Sequence, residues 1–209
     1  MDTTLSLQSN LYPRITPAGA YYAVSNNTAS ASRTLLHGLL KAEPNELISP
    51  EKLLAWTDST DMETALSLLY RLQRLEFLYG EETPLAEEQN FSDDQLPELL
   101  EQLSSVGKAL LADQNGLYFA NAGFHHDTAE EVGILASEIA TLGERHQLLL
   151  KNNLNIHHNA WGICEPSGQS ELTFYPLYVG RAKLILVVGG IPDLNKEAFV
   201  SLIKIFCNR

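Results

Sequence analysis

A chain of 209 residues, 44% hydrophobic and 19% charged, has the composition of an ordinary globular protein and the length of one or two domains. Fourteen Lys and Arg against 26 Asp and Glu leave a formal net charge of −12, which repels phosphate backbones and anionic lipid and so disfavours nucleic acid or membrane as the main partner. Two cysteines, Cys164 and Cys207, make neither a disulfide framework nor a zinc site. The first 25 residues hold no apolar signal-peptide stretch, and no apolar run approaches the ~18 residues of a membrane span, so the expected compartment is the cytoplasm.

No period of 20 to 50 residues recurs. Residues 1–25, with Pro13, Pro17 and Gly19, read as an extended arm or lightly ordered lead-in. Three helices are predicted next: from about Ala29 to Ala42 with Leu35, Leu36, Leu39 and Leu40 at core spacing; a short one opened by Ser49 as N-cap and Pro50 at the first helical position; and one from near Asp61 to Leu75. Along the third, Ala65, Leu68, Leu69, Leu72 and Leu75 line one face and Glu63, Ser67, Tyr70, Arg71 and Arg74 the other. A short strand and turn follow over Glu76 to Gly80.

The stretch from Leu66 to Leu78 resembles the recognition helix and first wing strand of bacterial winged-helix domains, which places Ser67, Tyr70, Arg71 and Arg74 on a possible recognition face. One reading is a transcription regulator in which a dimer of the C-terminal part positions two such domains, each setting this face in a major groove. Against it, Glu81 and Glu82 stand where a wing needs basic residues, and residues 1–90 carry six basic side chains against twelve acidic ones. A protein-binding face fits that charge better. From Arg74 to Lys108 no Lys or Arg intervenes, while nine acidic residues do. The middle of this stretch has turn formers and no periodicity, so 81–91 is read as an acidic linker between domains at 26–80 and 92–209.

In the second domain the pattern becomes mixed. A helix is expected from Asp93 to Val106 behind Ser92, then a strand from Lys108 to Ala112. The turn Asp113-Gln114-Asn115-Gly116 follows, because Asn-Gly accepts the positive φ of a tight hairpin, and then a return strand from Leu117 to Ala122. Thr128 to about Leu149 reads as a long helix. Strands follow over Ile156–Cys164, Glu171–Val179 and Ala182–Val188, the last with the continuous run Leu184–Val188 of a central strand covered on both faces. A final helix runs through Phe199, Leu202, Ile203 and Phe206.

The order is α-β-β-α-β-β-β-α. With the stretches Ala109–Gly123 and Ala129–Ala140, it resembles the bacterial branch of the Roadblock/dynein light chain family. The match departs at His125-His126 before the long helix and at Trp161 in the third strand. The resemblance implies an α+β chain whose C-terminal part is profilin-like, with a five-stranded antiparallel sheet. It also implies no chemistry of the domain's own; no catalytic residue, cofactor or metal is expected. Members of the family form homodimers or heterodimers and bind small Ras-like GTPases or larger assemblies that contain them. The long helix carries an apolar surface wider than one buried stripe, and its small residues would admit a second helix. Val132, Gly133, Leu135, Ala136, Ile139 and Ala140 are therefore the expected homodimer interface.

No nucleotide-binding, nucleophile-elbow or metal motif is present. Gly189-Gly190 lacks the Lys-Ser/Thr of a phosphate loop and reads as a turn. His125-His126-Asp127 and His157-His158 suggest a metal, but neighbours in a strand point to opposite faces, so His157 and His158 cannot both face one site. The expectation is a non-enzymatic, dimeric adaptor for a small GTPase or a complex that contains one.

Overall fold

The computed structural model describes residues 5–85 and 92–208; of the expected linker, 86–91 lies outside the described residues. The chain groups into two units, residues 1–91 with 203–209 and residues 92–202, so the boundary falls within the last helix.

Residues 12–24 of the expected N-terminal arm form a strand and a helix, which corrects that reading. β1 (Tyr12–Ile15) leads into α1 (Pro17–Val24), whose Gly19, Ala20, Ala23 and Val24 are buried. Thr16 makes the join. Its side-chain oxygen accepts from the Gly19 amide at 3.1 Å and its hydroxyl donates to the Glu76 carbonyl at 2.7 Å, while Pro17 supplies the fixed φ of a first helical position. α1 packs through small residues and lacks the large apolar stripe that marks a helix in a sequence.

α2 (Ala31–Lys41), α3 (Pro50–Thr57) and α4 (Met62–Arg74) follow as expected, capped by the side chains of Ser30, Ser49 and Asp61. Leu35, Leu36, Leu40, Leu53 and Leu72 are fully buried among them, each contributing about 1.5–3 kcal/mol relative to exposure. β2 (Leu78–Glu81) pairs antiparallel with β1, Tyr12 opposite Glu81 and Ile15 opposite Leu78. The strand after α4 therefore takes its partner from the N-terminal segment rather than from a following wing strand.

The α4 cap carries a pH signature. Asp61 accepts from the Thr64 hydroxyl, from the Thr64 amide at 2.9 Å and from the Glu63 amide at 3.4 Å, and these bonds, the hydroxyl first, hold its carboxyl below the usual range. A carboxylate with a depressed folded-state pKa stabilises above its unfolded pKa and loses that contribution as pH falls through the folded value. Wild type should therefore lose stability in acid relative to Asp61→Asn, with the two curves converging once the carboxyl is protonated; urea titrations across the carboxylate range measure this. Parallel curves would show that the cap charge contributes nothing.

In the second unit Ser92 caps a 3-10 turn (Asp93–Gln95) that leads into α5 (Leu96–Gln102). The expected helix to Val106 stops early because Ser104 ties the chain down: its Oγ accepts from the Val106 and Lys108 amides at 3.2 and 2.9 Å and donates to the Gly189 carbonyl at 2.7 Å. β3 (Ala109–Asp113) and β4 (Tyr118–Ala122) form the expected hairpin, with Asp113 Oδ1 accepting from the Asn115 and Leu117 amides and Gly116 at φ +88°. α6 (His126–Arg145) is followed by a π-helical turn (Leu149–Asn153) rather than continuing to Leu149.

β5 is only Trp161–Cys164, shorter than expected at its start: Asn155 sits at φ +54° and the Ile156 amide turns back to the Leu150 carbonyl, so the run before Trp161 is not extended. β6 (Ser170–Val179), β7 (Ala182–Gly189) and α7 (Glu197–Cys207) complete the order. The five strands pair antiparallel as β4-β3-β7-β6-β5. β7 is central and Leu184–Val188 is buried along its whole length, as its continuous apolar run requires.

Candidate interaction surface

Two faces of α6 differ in residue size, and this difference organises the surface. Ala129, Gly133, Ala136 and Ala140 recur three and four apart and are buried. Ala129, Ala136 and Ala140 pack with Leu110, Ala112, Phe174, Ile185 and Val187 in the core, where Val132 and Ile139 are partly buried at the margin. A Cβ on Gly133 would lie 2.3 Å from the Gly116 carbonyl oxygen, so the helix meets the hairpin turn backbone to backbone. The expected dimer interface is corrected accordingly. Gly133, Ala136 and Ala140 admit a close neighbour, but that neighbour is the domain's own sheet, and of the six expected residues only Leu135 is exposed, with Ile139 half-buried beside it.

The opposite face presents large apolar side chains to solvent. Ile134 is 55% exposed, Leu142 40% and Leu135 36%, and beyond the helix Leu148 and Leu149 are 73% and 48% exposed. Leu135, Glu138, Ile139, Leu142 and Arg145 line a shallow concavity of about 420 Å³ together with Ser137 and Thr141. Both hydroxyls are turned onto their own helix: Ser137 donates to the Ile134 carbonyl at 2.8 Å and Thr141 to the Ser137 carbonyl at 2.9 Å. What remains outward is an apolar strip with Glu138 and Arg145 as its charges. Periodicity searched for the widest apolar stripe does not single this face out. The recurrence of large residues at 134/135, 141/142 and 148/149 is the signal that does.

In the first unit Ser67, Tyr70, Arg71 and Arg74 are all exposed on α4. Arg74 Nη1 lies 3.3 Å from Tyr70 Oη and its guanidinium carbon 6.0 Å from the Tyr70 ring centroid, so one of the two arginines is held against an aromatic on its own helix. Glu81, expected at an acidic wing tip, instead pairs with the buried Arg14 at 3.3 Å. A second hollow of about 260 Å³ lies beside α4 and β2, lined in part by Leu7, Leu11, Ile48, Leu69, Leu78 and Tyr79.

The residues weighed for chemistry are dispersed. His126 Nδ1 lies 2.6 Å from Tyr118 Oη and its Nε2 3.5 Å from Glu130, while His157 Nε2 meets Asn155 Oδ1 at 2.9 Å. Among the described residues no three His, Cys, Asp or Glu side chains gather as metal ligands, and no helix is long and apolar enough to cross a membrane. Cys164 is exposed on β5, and burial pushes the Cys207 thiol up to about 11.

No family model matches the chain, and no curated protein matches it. Two solved structures are similar to it. A Roadblock/LC7 domain from Streptomyces avermitilis is 16% identical over 55% of this chain and 91% of that one, with a TM-score of 0.37. Myxococcus xanthus MglB is 16% identical over 59% and 88%, with a TM-score of 0.33. The C-terminal part is an α+β unit built on a five-stranded antiparallel sheet. Its element order, α-β-β-α-β-β-β-α, and its antiparallel five-stranded sheet are those expected from the sequence.

Proposed function

We propose that this chain is a non-enzymatic adaptor or regulator that works as a homodimer and binds a small Ras-like GTPase or a complex containing one. The observation that carries the binding role is the outward face of α6, where Ile134, Leu135 and Leu142 stand in solvent although the inward face already fills the domain core. Contiguous exposed apolar residues of this kind belong to protein-binding surfaces. The partner class comes from the resemblance to the Roadblock family, and the chain's net charge of −12 favours a basic partner face and an association rate that falls with salt.

The test uses the full chain and the double substitution Leu135→Glu, Leu142→Glu. Wild type is expected to scatter light as a dimer at micromolar concentration and to retain a Ras-like GTPase from native extract, identified by mass spectrometry. The variant should keep the wild-type circular dichroism spectrum, run as a monomer and lose that partner. A folded monomer that holds the same GTPase equally well overturns the dimer as the binding unit. A wild type that recovers no GTPase-containing complex overturns the GTPase reading.

A further inference from the structure

We propose that the outer edge of β2 takes an extended, cationic polypeptide segment as an added antiparallel strand, with an aromatic side chain of that segment opposite Gly80 and seated in the hollow beside α4. The surface belongs to the first unit alone and does not depend on the dimer or the GTPase reading above.

The phase of the β1–β2 pair decides which backbone groups face outward. The Thr16 amide donates to the Phe77 carbonyl at 3.0 Å. Hydrogen-bonded pairs alternate along an antiparallel ladder, so the next ones are Arg14 with Tyr79 and Tyr12 with Glu81. Pro13, opposite Gly80, has no N–H to give, which agrees with that phase. The N–H and C=O groups of Leu78 and Gly80 therefore point away from β1. Among the described residues this sheet ends at β2, and no group bonds to Leu78 or Gly80 from the outer side. The outer side of β1 differs. There the Ile48 amide donates to the Leu11 carbonyl at 3.3 Å and Arg14 donates to the Pro44 carbonyl, so the segment 44–48 covers it.

Gly80 interrupts the inward alternation of its strand. Leu78 is buried, and Gly80 shares its face but offers no side chain. The hollow of about 260 Å³ opens there, between β2, Leu69 and Gln73 of α4, and the lead-in at Leu7 and Leu11. No charged residue lines it. A strand added beside β2 lies about 4.8 Å out, and an aromatic opposite an edge glycine covers the space the glycine leaves. In strand addition the main-chain bonds supply affinity and a pocket for an alternate side chain supplies specificity.

Charge at the two ends selects the partner. Glu76 and Glu82 flank the edge, exposed and without an ion pair among the described residues, whereas Glu81 is taken by Arg14. Of the cations in the last turn of α4, Arg71 and Arg74, the second is held against Tyr70. A segment with a basic residue toward each end fits the two carboxylates. A second copy does not, because pairing edge on edge sets Glu76 of one chain opposite Glu82 of the other.

The probe is the capped peptide Lys-Thr-Phe-Thr-Val-Thr-Lys, which in the antiparallel register sets Phe opposite Gly80, Val opposite Leu78 and a lysine at Glu82 and at Glu76. Titrated into the full chain and followed by amide NMR, it should saturate below about 1 mM. It should also slow exchange of the Leu78 and Gly80 amides by about tenfold or more while leaving β3 and β7 unchanged. N-methylation of its Phe, whose N–H must face Gly80, should weaken binding about tenfold or more; N-methylation of the next Thr, whose N–H faces away, should cost less than about threefold. The variant carrying Glu76→Lys and Glu82→Lys should bind about tenfold more weakly and recover with a peptide whose lysines are replaced by glutamate. The peptide modifications leave the protein untouched, so a variant that fails to fold does not remove the test. No saturation by about 1 mM overturns the proposal. Binding that tolerates the N-methyl Phe and leaves Leu78 and Gly80 exchanging as before overturns the added strand and makes the hollow a site for small apolar ligands. Binding indifferent to both charge reversals overturns the cationic partner.

Discussion

Arginine in place of Ala136 should unfold the C-terminal unit rather than separate two folded copies. Ala136 is fully buried between α6 and the sheet, in the cluster that holds Phe174, Ile185 and Val187. A guanidinium there would displace packed side chains and lose its water without gaining a carboxylate, a cost of at least about 3–5 kcal/mol. Typical domains hold only about 5–15 kcal/mol in total. The measurement is thermal unfolding followed by circular dichroism beside Ile134→Arg, which lies two residues, about half a turn, away on the exposed side. Ala136→Arg should show a large loss of melting temperature or no cooperative transition, and Ile134→Arg should melt near wild type. Equal melting of the two variants would contradict the assignment of the faces.

Gly19→Val should destabilise the first unit by about 3 kcal/mol, toward the upper end of what overpacking costs. A Cβ at Gly19 would stand 2.0 Å from the Phe77 carbonyl oxygen and 2.8 Å from its carbon. That carbonyl also accepts from the Thr16 amide at 3.0 Å, so it cannot retreat without breaking the link between β1 and the end of α4. Hydrogen exchange is the direct readout. Amides of β1, α1 and β2 should lose protection together while those of β3, β6 and β7 keep theirs. Unchanged protection over residues 12–24 would mean that the segment does not anchor the unit.

What could be read in the sequence was local. Asn115-Gly116 announces its hairpin because the turn needs positive φ, Ser49-Pro50 announces α3 because cap and first turn adjoin, and Leu184–Val188 announces a covered strand because both faces are apolar. β1 could not be read in the same way, since Tyr12 finds its partner at Glu81, across all four helices. Thr16-Pro17 is the same kind of cap as Ser49-Pro50, yet the helix after it packs through Gly and Ala and shows no stripe of large residues. On α6 the period was visible but the direction was not. Small residues mark the closest approach, and a sequence does not say whether that approach is to the chain's own sheet or to a second helix. The Gly133–Gly116 contact answers it: the close approach is to the chain's own hairpin.

The pairing of β1 with β2 also sets an order of events during synthesis. Tyr12 leaves the ribosome more than sixty residues before Glu81, and at about 5–20 residues per second it waits roughly three to fourteen seconds for its partner. Throughout that interval β1 is a nascent strand with an open edge, the condition under which chains pair wrongly with one another. Its own sequence answers the hazard. Pro13 removes a backbone donor from the strand, and Arg14, which ends up buried against Glu81, carries a charge that deters a premature neighbour until that carboxylate arrives.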